Sequence, residues 1–143
     1  METLGSLLDK YSIIKMKYNT KVREGDEELA KEIGKQIDNL KSEIDSYLTL
    51  AIRGQVPLEE PKFKMYKGED PSGEKFGSFA PVMDRLFEAN WTLWQLEDKR
   101  REKDRSDFEI RKICDDVAKF NRIRNDCMDE INKILSTLIS EKT

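Results

Sequence analysis

Residues 106–138, SDFEIRKICDDVAKFNRIRNDCMDEINKILSTL, decide the fold class. Within them Ile110, Ile113, Val117, Phe120, Arg124, Cys127, Ile131, Ile134 and Leu138 follow one another at spacings of three and four. That is the repeat of an α-helix burying one seam. The start, Ser106-Asp107-Phe108-Glu109, is a capping-box pattern, in which the Ser and Glu side chains each satisfy a free backbone amide.

Working outward, the same spacing recurs in Ala30, Ile33, Ile37, Leu40, Ile44, Tyr47 and Ala51. Asp26 suits the N-cap of this helix, and Glu27 and Glu28 in its first turn favour the helix dipole. A further helix is expected from about Thr3 to Val22, with Leu4, Leu7, Leu8, Tyr11, Ile14 and Tyr18 on one side, closed by Arg23-Glu24-Gly25. Helix three is expected from Ser78 to about Lys103, with Pro81 tolerated in its first turn. Its seam is Val82, Leu86, Ala89, Leu93 and Leu96. A second stripe runs through Met83, Phe87, Asn90 and Trp94, and Trp91 points a third way. A helix apolar over most of its circumference is central or faces another subunit. Helix three is therefore expected in the middle of the core, with Trp91 and Phe87 at a contact between copies.

Residues 53–77 hold Gly54, Pro57, Pro61, Gly68, Pro71, Gly73 and Gly77, punctuation that reads as a long crossover. The expectation is an all-α four-helix bundle in one domain. It is built from two tandem helical hairpins, 1–52 and 78–140, joined by the Pro/Gly-rich crossover. The halves share a pattern of amphipathic helix, charged turn and seam helix, as a diverged duplication would.

Composition limits the function. Hydrophobic residues make up 37% of 143 and charged residues 38%, yet the net charge is only -3, so the charges interleave over solvated helix faces. That balance argues against a nucleic-acid binder, which carries a basic surplus. No apolar run approaches the ~20 residues of a membrane span, and residues 1–20 lack the basic-then-apolar order of a signal peptide. Cys114 and Cys127 fall in one helix, roughly 20 Å apart along its axis, too far to bridge each other. Two free thiols point to a reducing, cytoplasmic compartment. The chain has no histidine, which removes the usual general base, His-based zinc sites and Ser-His triads.

A few polar residues break the apolar stripes. Arg124 falls in the last seam, Lys15 in the row Leu8, Tyr11, Lys15, Tyr18, Asn90 between Phe87 and Trp94, and Asn121 beside the final seam. Asp9 and Ser12 lie one turn apart beside the helix-one stripe. One reading gathers them into a polar pocket: Arg124 and Lys15 meet an anion, Asn90 and Ser12 supply hydrogen bonds, and Trp94 or Tyr11 gives a stacking face. The other pairs Arg124 with Asp9, Glu88 or Glu97 as an internal ion pair that binds nothing.

Three segments resemble signatures of a small all-helical family of unknown function in bacteria and their viruses. Leu7-Leu8-Asp9-Lys10-Tyr11-Ser12-Ile13 resembles Leu-Ile-Asp-Lys-Leu-Ser-Ile, and Asn90-Trp91-Thr92-Leu93-Trp94-Gln95-Leu96-Glu97-Asp98 resembles Asn-x-x-Leu-Trp-x-Leu-Glu-Asp. Asn121-Arg122-Ile123-Arg124-Asn125 is similar to an Asn-x-x-Arg-Asn element. The resemblance implies that Asp9, Ser12, Asn90, Trp94, Glu97, Asp98, Arg124 and Asn125 are the family's polar positions. It implies no reaction. Tyr11 stands where the family has Leu, and Gln95 where it has His, departures that speak against a proton-transfer role there.

The function expected from these residues is a non-enzymatic helical bundle binding, and so sequestering, a small anionic ligand of nucleotide-like or sugar-phosphate-like chemistry, as a homo-oligomer. No cofactor, metal or catalytic set is expected. Two rivals stand beside it. One is an interaction module without a small ligand. The other is an all-helical, metal-dependent nucleotide pyrophosphohydrolase, whose Glu-x-x-Glu and Glu-x-x-Asp carboxylates this sequence matches poorly, since Glu24 and Glu27 straddle Gly25.

Overall fold

The structure, a computed structural model, describes residues 2–59 and 78–141; most of the expected crossover, 60–77, lies outside the described residues. It is an all-α four-helix bundle: α1 (Leu4–Glu24), α2 (Glu27–Ile52), α3 (Phe79–Arg100) and α4 (Asp107–Glu141), with no strand among the described residues.

The helix ends follow from local chemistry. Thr3 caps α1 by accepting from the Ser6 amide at 3.4 Å. Gly25 ends α1 with φ 77°, a left-handed conformation in which a glycine has no Cβ to clash. The amides of Gly25 and Asp26 return to Val22 O and Lys21 O, both at 3.1 Å, the paired bonds of a Schellman cap. Asp26 then caps α2 through the Leu29 amide at 3.2 Å. Ser106 caps α4 by accepting from the Glu109 amide at 3.2 Å, while its hydroxyl donates to the Glu109 carboxylate. Pro81 sits in the first turn of α3, where it removes no helical hydrogen bond. α3 stops at Arg100 rather than near Lys103, because the chain turns through Asp104 at φ 72°.

The two-residue turn makes α1 and α2 antiparallel, and a Cβ built on Gly34 would lie 3.6 Å from the Tyr18 ring across the pair. α1, not α3, is the hub. It packs against all three other helices, whereas α2 packs mainly on α1, and α3 on α4 and α1. The reason lies in the small residues of α1. A Cβ on Gly5 would stand 2.4 Å from Met128 O, so only glycine lets α4 approach this closely. Asn132 Oδ1 accepts from the Gly5 amide at 2.8 Å, and its Nδ2 donates to Thr3 Oγ1 at 3.1 Å. Gly5 lies opposite Met128 and Asn132, and Asp9 opposite Arg124, so α1 and α4 run antiparallel.

The core gathers Leu4, Leu7 and Leu8 with Leu40, Tyr47, Val82, Leu86, Ala89, Ile123, Cys127 and Ile131. Each fully buried aliphatic side chain contributes about 1.5–3 kcal/mol. The expected seam of α4 needs two corrections. Ile123 rather than Arg124 is the buried residue at that turn, with Arg124 half-buried one position round. Ile110 and Leu138, at the seam's two ends, are exposed. α1 contributes fully buried residues only from Leu4 to Ser12. Beyond Ser12 its apolar residues are half-buried or exposed, and a cleft begins there.

Candidate functional site

At the junction of α1, α3 and α4, four side chains form one hydrogen-bonded group. Asp9 is 5% exposed. Arg124 clamps it with Nε to Oδ1 at 2.7 Å and a terminal guanidinium nitrogen to Oδ2 at 2.5 Å, the two parallel bonds of a fork on a carboxylate. Asn90 donates its Nδ2 to Asp9 Oδ1 at 2.9 Å and to Ser12 Oγ at 2.6 Å. The Ser12 hydroxyl donates to Asp9 O at 2.9 Å. Of the three ion-pair partners open to Arg124, the structure selects Asp9, and the pair compensates a buried charge that would otherwise be costly.

This group forms the inner end of a cleft of about 320 Å³ between the C-terminal halves of α1 and α3. Ile13, Met16, Leu93 and Trp94 supply apolar wall. Asn90 and Arg124 reach it from the polar group, and Lys17, Glu97, Asp98 and Arg101 complete the lining. The wall follows from helix spacing, since Asn90, Leu93, Trp94, Glu97, Asp98 and Arg101 recur at three and four along one face of α3. Asp98 pairs with Arg101 at 3.7 Å, and Glu97 with Arg100 at 3.4 Å. Lys17 has no ion pair among the described residues.

The expected site residues therefore divide. Asn90, Trp94 and Arg124 line the cleft, and Asp9 and Ser12 hold its inner end. Tyr11 does not line it; its ring lies 6.4 Å from that of Phe87, tilted by 40°, against the core. Lys15 is exposed, with its ammonium 6.0 Å from the Tyr18 ring centroid, and lies outside the cleft. The reason is angular: a helix turns about 100° per residue, so Lys17, two positions on, faces the cleft instead. Asn121 and Asn125 are half-buried on α4 and do not line the cleft. Phe87 is half-buried against the core, which leaves Trp91, 40% exposed, as the outward-facing member of the expected interface.

Ile13, Met16, Lys17, Leu93 and Arg101 are the lining residues that stripe reading missed. For Leu93 the signal is the α3 face itself, since Leu93 and Trp94 belong to separate stripes yet make one wall, while the α1 residues become visible only when α3 is set beside them. Among the described residues no group of three or more His, Cys, Asp or Glu side chains is placed to hold a metal, and no helix is long and apolar enough to cross a membrane. Cys114 is exposed and Cys127 buried, and neither forms a disulfide among the described residues. Compared with known proteins, the chain matches no family model, no curated protein and no solved structure.

Proposed function

We propose that this protein is a non-enzymatic helical bundle that holds a small anionic, nucleotide-like ligand in the α1–α3 cleft. The observation that carries the reading is the meeting, along one concavity, of Trp94, the buried Asn90 and the exposed Lys17. A mostly apolar cleft with a few fixed polar groups is the usual form of a small-ligand site, and about 320 Å³ lies at the lower end of such sites. That size suits a nucleoside monophosphate and is small for a dinucleotide. Arg124 acts indirectly here, because its fork is spent on Asp9. The anion's partner is Lys17 at the rim. Arg101 shares the rim but is already paired with Asp98.

The test uses the two tryptophans, which are the chain's full complement. In a Trp91→Phe variant, emission reports on Trp94 alone, and titration with adenosine, guanosine, cytidine and uridine 5′-monophosphates should quench or shift it for at least one of them. Lys17→Glu should weaken that binding about tenfold, the direction expected from reversing a charge at a rim. Emission unchanged by all four nucleotides would sink the reading.

Self-association through α3 is a separate part of the proposal, supported by the exposed Trp91. Sedimentation of the wild type against Trp91→Ala separates it from ligand binding.

A further inference from the structure

Asn90 is 3% exposed and lines the cleft, and the orientation of its amide is set from behind. A carboxylate accepts hydrogen bonds and cannot donate. Arg124 donates to both oxygens of Asp9, which therefore act as acceptors in this group. The Asn90 amide must therefore turn its NH2 toward Asp9, since the flipped amide would set oxygen against oxygen. Ser12 reinforces the choice. Its hydroxyl hydrogen is committed to Asp9 O, so its Oγ faces Asn90 with a lone pair and takes the second amide hydrogen. Both hydrogens of the amide are used, and its Oδ1 accepts no hydrogen bond among the described residues.

The inner end of the cleft is thus an acceptor of fixed polarity, because Oδ1 accepts no bond among the described residues yet is not sealed from solvent. A ligand that donates an N–H there completes the chain from Arg124 through Asp9 and Asn90. A ligand that brings only an acceptor leaves two lone pairs facing each other in a confined space. Asn90 is buried, Trp94 half-buried and Lys17 exposed, so from the inner end outward the three residues call for a donor, a planar ring and an anion. We infer that the cleft selects nucleoside monophosphates whose base carries an amino N–H at its buried edge, and rejects rings of equal size that present only acceptors. The inference rests on the ligand-binding reading above and adds to it the polarity of recognition.

The test compares adenosine 5′-monophosphate with purine riboside 5′-monophosphate, which keeps the ring and phosphate and lacks the exocyclic amine. Both are titrated calorimetrically into the full chain at one ionic strength. The amine-bearing nucleotide should bind about ten- to hundredfold more tightly, the range a buried acceptor left unsatisfied confers. Equal affinity for the two would overturn the donor rule while leaving the cleft as a ligand site. Silence from both, together with unchanged Trp94 emission across the four common nucleotides, would remove the cleft reading and this inference with it.

Discussion

Replacing Arg124 with alanine leaves the Asp9 carboxylate at 5% exposure with one neutral donor, Asn90, from the partner helices. Replacing Asp9 leaves Arg124 without its carboxylate partner on α1. Each single change should cost about 2–4 kcal/mol, toward the low side because the Arg124 side chain keeps 30% of its surface. The double variant should cost about 2 kcal/mol less than the sum, because the Asp9–Arg124 contact is already broken when the second change is made. Urea unfolding of Asp9→Ala, Arg124→Ala and the pair measures this, and additive losses would show that the two groups are independent. At this scale the sequence shows that Arg124 and Asn90 break apolar stripes and that Asp9 and Ser12 lie beside one, and it offers three carboxylates within reach of the guanidinium. Choosing Asp9 needed the α1–α4 register. Lys15 was misplaced for a related reason. A row drawn on one helix does not reveal which neighbour covers it.

The elements themselves were legible almost to the residue. Thr3, Asp26, Ser106 and Gly25 mark boundaries through their own side chains or lack of one, and such signals act over three or four residues without tertiary help. The end of α3 was less legible, since a mixed-charge run suits helix and turn alike. α2 offers a test of how an element's end is fastened. Tyr47 is buried and donates to Pro57 O at 2.9 Å, clipping the chain that leaves the helix. Burial raises the Tyr47 hydroxyl above its usual value of 10.0, opposed by the Leu4 amide. The folded state thus holds that proton more tightly than the unfolded chain does. The resulting stability is fully present below about pH 10 and is lost as the pH rises through the raised value. Tyr47→Phe should cost about 1 kcal/mol near neutrality, and its deficit against the wild type should shrink above pH 10. Denaturant midpoints at pH 7 and above pH 10 check this; a deficit that does not change with pH would show that the hydroxyl's burial is not felt.

Over the whole molecule, burial is uneven along a single helix. The fully buried residues of α1 all lie between Leu4 and Ser12, and the helix loosens from Ile13 onward, where the cleft opens between it and α3. Hydrogen exchange should follow that division, with amides between Leu8 and Ser12 protected well beyond those between Lys17 and Glu24. Uniform protection along α1 would mean that the helix opens only as part of global unfolding. The central position of α1 was not legible in hydrophobicity, because α3 is the more broadly apolar helix. Packing instead favoured the helix whose small residues, Gly5 and Ser12, allow two neighbours to come close. The bond from the Gly5 amide to Asn132 also bears on the order in which the chain is made. One of the four amides that a helix leaves open at its start is closed here by a side chain 127 residues later. A ribosome makes the first turn of α1 before it begins α4, and supplies the partner only after most of α4 has been synthesised. The opening turn of α1 is made well before the residue that secures it.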